Sequence, residues 1–129
     1  MSHFAPAIVL FEKAPRWEAE LKRRFEAHQV LVRPCRSPVD VLGLCRRAPG
    51  SVVVVDFAVG IADTLRLLGA LVAERLETYP IVIGSIETAE LEWSARELGA
   101  VDFVTDRIGG GLLASLCRRA LDPVLSTQY

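Results

Sequence analysis

The chain has 129 residues, of which 51% are hydrophobic and 24% charged, with a formal net charge of -1. That size suits one domain over residues 1–129 with its core at 7–121, and the composition excludes a disordered or fibrous chain. The near-neutral charge offers no global electrostatic footprint for nucleic acid, so none is expected to bind this domain.

The longest apolar-rich segment, Ile61 to Leu76, is interrupted by Asp63, Arg66, Glu74 and Arg75, which excludes a membrane span. Met1 to Pro6 carries no cationic region ahead of a cleavable apolar one, and Ala7 to Phe11 is too short to serve as one. The expected location is therefore cytoplasmic. Three cysteines, Cys35, Cys45 and Cys117, show no CxxC spacing. Cys45 and Cys117 fall on apolar helix stripes and read as core.

Ala7-Ile8-Val9-Leu10-Phe11 is a continuous apolar run with Glu12 and Lys13 at its end, the pattern of an inner strand. Pro15 suits a first helical turn, and Trp17, Leu21 and Phe25 then recur every fourth residue. Glu18 with Lys22 and Glu20 with Arg24 pair on the wet side. Val30 to Arg33 reads as a short edge strand stopped by Pro34. Ser37-Pro38-Val39-Asp40 is a helix start, with Ser as cap, Pro in first position and an acid in the first turn. Val41, Leu44, Cys45 and Ala48 form the buried face of that helix, and Arg46-Arg47 close it.

Pro49-Gly50 turns the chain into Ser51-Val52-Val53-Val54-Val55-Asp56. Four consecutive valines have no polar face to show to water, so they predict a strand covered on both sides, central in a parallel sheet. Ile61 to Tyr79 carries Leu65, Leu68, Val72 and Leu76 at helical spacing, widened by Leu67 and Leu71. Pro80 to Ser85 is another inner strand. Leu91, Ala95 and Leu98 mark a short helix ending at Gly99, and Val101 to Asp106 a partly covered strand. Ile108 to Leu121 closes the series with Leu112, Leu113, Leu116, Cys117 and Ala120, and Asp122-Pro123 stops it.

Five strands alternating with five helices predict an α/β fold: a doubly wound, flavodoxin-like parallel sheet in the order 2-1-3-4-5, with helices on both faces. In such sheets ligands bind beyond the carboxyl ends of the strands, where Glu12-Lys13, Asp56, Ser85 and Asp106 all fall. Opening the following loop is an equally ordinary task for Asp56. GxGxxG and GxxxxGK[ST] are absent, and Gly109-Gly110-Gly111 reads as a flexible helix start. His3 and His28 lie away from the rim, so no nucleophilic triad forms and no enzyme is expected.

Asp at the end of the third strand, an acid after the first, Ser after the fourth, and Gly-Ala before a strand with an aromatic together resemble the receiver domain of bacterial response regulators. The likeness covers about residues 7–121. It implies a role in two-component signalling with a signalling protein or an output domain as partner. Asp56 corresponds to the phosphoacceptor, Glu12 to a magnesium-holding acid, Ser85 to the switch hydroxyl and Phe103 to the switch aromatic.

Three positions depart from that pattern. The second acid is Lys13, the lysine-proline after the fifth strand is Asp106-Arg107, and the Met-Pro after the phosphoacceptor is Val59-Gly60. Phosphoryl transfer to a carboxylate depends on a divalent metal and a lysine to neutralise charge. Magnesium held only by Glu12 and Asp56 is weakly bound. The expectation is a degenerate receiver that acts by protein contact, uses no cofactor, and neutralises its own rim by pairing Lys13 with Asp56 or Asp106. Two other readings stand beside it. One is a working phosphoacceptor that binds Mg2+, with Arg107 in place of the lysine, and the other is a three-carboxylate metal site of Glu12, Asp56 and Asp106. Trp93 lies off the stripe of the fourth helix, and so suits an interface, including a homodimer through the fourth helix, fifth strand and fifth helix.

Overall fold

The computed structural model describes residues 4–122; His3 and the tail from Pro123 lie outside the described residues. Five strands alternate with five α-helices: β1 (Ile8–Phe11), α1 (Glu18–Phe25), β2 (Val32–Cys35), α2 (Pro38–Arg47), β3 (Ser51–Asp56), α3 (Ile61–Ala73), β4 (Thr78–Gly84), α4 (Glu92–Glu97), β5 (Asp102–Thr105) and α5 (Gly110–Leu121). All pairings are parallel, in the order β2-β1-β3-β4-β5, as the sequence predicts.

Strand alternation divides the apolar side chains between two layers. Ile8, Leu10, Val52, Val54, Ile81 and Ile83 face Trp17, Leu21, Phe25, Leu113 and Cys117 of the α1/α5 side. Val9, Phe11, Val53, Val55 and Val82 face Val41, Cys45, Leu67, Leu68 and Leu71 of the α2/α3 side. The four valines of β3 have no exposed surface. Each contributes about 1.5–3 kcal/mol by its burial, which is why neither face of this strand carries a polar residue. Ser51, also fully buried, accepts from the Ala7 N–H at 2.9 Å and donates to the Ala48 carbonyl at 2.6 Å, so the start of β3 is tied to β1 and α2.

Five boundaries or faces differ from expectation. Pro34 does not stop β2 but lies within it, opposite Leu10. The Ile8 N–H donates to the Leu31 carbonyl, so alternate residues from Leu31 turn their backbone groups toward β1 while Val32 and Pro34 turn theirs outward. The N–H that Pro34 lacks is one the sheet never needed. Helix α1 begins at Glu18, leaving Pro15 in the loop before it.

Helix α3 ends at Ala73, Arg75 takes φ 55°, and Thr78 and Tyr79 join β4 opposite Ser51 and Val52. Its buried stripe is Thr64, Leu67, Leu68 and Leu71, with Val72 exposed. The Thr64 hydroxyl donates to the Gly60 carbonyl at 2.8 Å, and that bond makes a polar residue acceptable inside. Leu112 of α5 is likewise exposed, and Leu113, Ala114 and Cys117 are its buried residues.

Other local expectations hold. Ser37 accepts from the Asp40 N–H at 3.2 Å as the cap of α2. The ion pairs Glu18–Lys22 (2.8 Å) and Glu20–Arg24 (2.7 Å) form on α1, and Gly99 takes φ 104° after α4. Among the described residues no helix is long and apolar enough to cross a membrane.

Candidate functional site at the carboxyl ends of the strands

The parallel strands deliver Glu12 and Lys13 after β1, Asp56 at the end of β3, Ser85 after β4, and Asp106 and Arg107 after β5 to one rim. Their side chains are not spent alike. The Glu12 carboxylate accepts the N–H groups of Arg16 (3.1 Å) and Trp17 (3.1 and 3.3 Å), closing the turn that opens α1. An anion there also complements the positive end of the helix dipole. Asp56 is half-buried, and its Oδ1 accepts the Ala58 N–H at 2.8 Å. Asp56 therefore opens the following loop, and it does so at the rim.

Ser85 is held in the turn before α4. Its N–H donates to Thr88 Oγ1 at 2.7 Å, and its hydroxyl lies 3.4 Å from the same atom. The N–H of Glu87 and the Ser85 hydroxyl hold the Glu87 carboxyl below the usual carboxylate range. Phe103 on β5 lies across Gly84, where a Cβ would meet its ring and Thr88 Oγ1 at 2.7 Å each, and it packs edge-on to Phe57 at 5.7 Å. The aromatic singled out from the sequence is thus partly buried and lies directly over the strand that leads to Ser85.

The predicted pairing of Lys13 does not form. No carboxylate among the described residues lies within 4.0 Å of Lys13, which is exposed. Nor do Glu12, Asp56 and Asp106 form the three-carboxylate set, for no group of three potential metal ligands occurs among the described residues. The reason is local, because two of the three acids close their own turns and so face backbone N–H groups.

A residue that the sequence did not announce reaches the rim instead. The Arg16 guanidinium donates to the Asp106 carbonyl while lying 4.4 Å from the centre of the Trp17 ring. This contact joins the loop before α1 to the loop before α5, and nothing in the local sequence signals it.

Gly110, in the glycine run at the start of α5, has a tertiary cause. A Cβ on Gly110 would collide with the Glu20 side chain of α1, whereas one on Gly111 would make only ordinary contact with Arg24. Arg23 and Arg24 bind the Glu20 carboxylate and hold its carboxyl below the usual range. The N-terminus of α5 therefore already lies against a carboxylate from its own chain.

All three cysteines are buried and free. Burial pushes the thiols of Cys35 and Cys45 up to about 11 and that of Cys117 up to about 12, which keeps them protonated and unreactive. His28 stands at the end of α1, edge-on to Phe25, away from the rim. Trp93 is 72% exposed on α4, as the stripe predicts. Arg96, beside it, is drawn to Glu92 (2.8 Å) and the Val101 carbonyl (3.1 Å).

The solved structures most similar to this arrangement include the receiver domain of the Francisella response regulator 1452, with TM-score 0.77 and 17% identity over 92% of this chain and 98% of that one. A signal receiver domain of a LuxO repressor protein from Vibrio parahaemolyticus reaches TM-score 0.79 at 14% identity, covering 97% of this chain and 96% of that one. The receiver domain of the TMAO respiratory response regulator TorR gives TM-score 0.76 at 22% identity over 90% and 96%. The chain has the receiver fold. No protein-family model and no curated protein matches its sequence. Within the receiver fold, the rim just described lies at the carboxyl ends of β1, β3, β4 and β5, and its cations are Lys13, Arg16 and Arg107.

Proposed function

We propose that this chain is a receiver-like signalling module that acts by protein contact and does not rely on regulated phosphorylation of Asp56. The single observation that supports this most is the use of Glu12. In-line transfer to a carboxylate requires a divalent cation beside it, and the acid best placed to hold one is engaged by two backbone N–H groups of its own loop. Lys13 adds a positive charge where a second oxygen ligand is needed. The residues present do not fit a magnesium ion well, and no step of the proposed function passes through one.

On this reading the partner is a signalling protein, an output domain or a second copy of the chain, engaged through α4, β5 and α5 with Trp93 as anchor. An aromatic residue so exposed, with Ile86 also exposed in the turn that leads into α4, suits a contact surface better than bare solvent. The opposite reading, a functional phosphoacceptor, draws support from the half-buried Asp56 at the end of the central strand.

Intact mass after incubation with a small phosphodonor and Mg2+ separates the two. The proposed module stays unmodified. A gain of one phosphoryl group that is lost in Asp56→Asn establishes the phosphoacceptor instead.

A further inference from the structure

Beside the rim, and sharing Glu12 and Lys13 with it, a cleft opens at the carboxyl ends of β1 and β2. It has a volume of about 770 Å³ and is bounded by the loops after β1 and β2 and by the segment between β3 and α3. That volume lies in the range of small-molecule sites, and the crevice borders the β1/β3 step where strand order reverses. Phe11, Pro15, Pro34, Pro38 and Val59 supply apolar wall, and Lys13 and Arg36 supply charge.

The two cations are placed by the sheet itself. Phe11 pairs with Cys35, so Arg36 follows that pair by one residue and Lys13 by two, on adjacent strands about 4.8 Å apart. Both are exposed, and among the described residues neither has a carboxylate within 4.0 Å. Three acids also line the cleft, of which Glu18 and Asp63 face cations of their own helices while Glu12 keeps its charge and faces backbone N–H groups. Glu18 pairs with Lys22 at 2.8 Å, and Asp63 lies 3.8 Å from Arg66. Helix α2 adds its positive end, for Ser37 and Pro38 also line the cleft.

We infer that this cleft binds a small organic phosphate, with its dianionic head between Lys13 and Arg36 and a flat apolar body against Phe11 and the prolines. The guanidinium of Arg36 presents a planar fork that matches phosphate oxygens, and Lys13 supplies a mobile point charge. Cys35, whose thiol burial keeps protonated, adds neutral wall. Asp56 does not line the cleft, and an asparagine in its place keeps an Oδ1 acceptor for the Ala58 N–H of the cleft wall.

The test is an amide-resolved NMR titration of the whole chain with naphthyl phosphate and with AMP, and with inorganic phosphate, naphthol and adenosine as controls. At least one organic phosphate shifts the amides of Lys13, Arg36 and Ser37 saturably, and binds at least tenfold more tightly than inorganic phosphate or its own uncharged counterpart. Lys13→Ala and Arg36→Ala each weaken it by about tenfold or more, while Asp56→Asn leaves it unchanged; a tenfold loss corresponds to about 1.4 kcal/mol. Absence of saturable shifts with both organic phosphates overturns the inference. So does binding that survives both alanine variants, or inorganic phosphate binding as tightly as its organic esters. Because Asp56→Asn is a separate arm, these outcomes are read independently of whether the chain accepts a phosphoryl group.

Discussion

Replacing Glu12 by alanine tests the chemistry of the rim through a sign. If Glu12 serves chiefly to close the loop into α1, its removal leaves the N–H groups of Arg16 and Trp17 without their charged acceptor and takes an anion from the helix start. Loss of a helix-start acceptor costs about 0.5–2 kcal/mol, and hydrogen bonds to charged groups lie toward the upper end. The loop is partly exposed, so water replaces some of what is lost, and a destabilisation of about 1–2 kcal/mol is expected. For a domain of this size that lowers the melting temperature by roughly 3–8 °C.

Glu12→Gln, which keeps an oxygen acceptor without the charge, should lose about half as much. Urea unfolding followed by circular dichroism, without added metal, gives both values. If Glu12 instead belongs to an acidic pair with Asp56 awaiting a cation, its removal relieves repulsion and the alanine variant becomes more stable than the parent. A measured stabilisation would refute the capping argument and with it the main support for a phosphorylation-independent module.

Gly84→Ala should cost about 1–3 kcal/mol, because its Cβ would meet the Phe103 ring and Thr88 Oγ1 at 2.7 Å; an unchanged urea midpoint would show that the ring moves aside freely. Trp93→Ala should leave stability within about 0.5 kcal/mol yet weaken self-association or partner binding, whereas Asp56→Asn leaves association unchanged. Sedimentation of both variants reads this, and the reverse pattern contradicts a contact-driven module. The thiols predict an alkaline limit. Their folded values are raised above the ordinary 9.0, to about 11 or 12. Their contribution is therefore complete below pH 9.0 and is lost above it, at up to about 1.4 kcal/mol per pH unit for each thiol. Urea midpoints at pH 8 and pH 10.5 should differ less in Cys117→Ala than in the parent, and equal differences would remove the thiols as the cause.

The strands were legible because burial on both faces leaves a mark that no surface segment shares, as in Val52 to Val55 and Ile8 to Phe11. Strand order followed from Val30 to Pro34 being too short and too broken for the centre. The buried face of α3 was harder. Its stripe includes Thr64, whose bond to the Gly60 carbonyl is invisible in a hydropathy pattern, and its end near Arg75 carries neither Gly nor Pro.

At the rim the sequence located the residues but not their partners. An acid four and five residues before Arg16 and Trp17 looks the same whether it closes a loop or awaits a metal. The Arg16 contact with Asp106 spans 90 positions, and the packing of Gly110 on Glu20 similarly joins α1 to α5. Such contacts exist only once the two helices share a face of the sheet.

The outward-facing Pro34 gives the sheet unequal ends. Beyond β2 a further strand would find the Val32 N–H but no donor at the next outward position, whereas β5 at the far end contains no proline. Two copies that meet by their sheets therefore lose no hydrogen bond only when they use like edges, β5 against β5. Contact between like edges is satisfied by a single twofold pair and offers nothing to a third molecule, while joining β2 of one copy to β5 of the next would repeat without end. One imino acid on the far strand thus biases any edge-to-edge assembly of this module toward closed pairs and away from filaments.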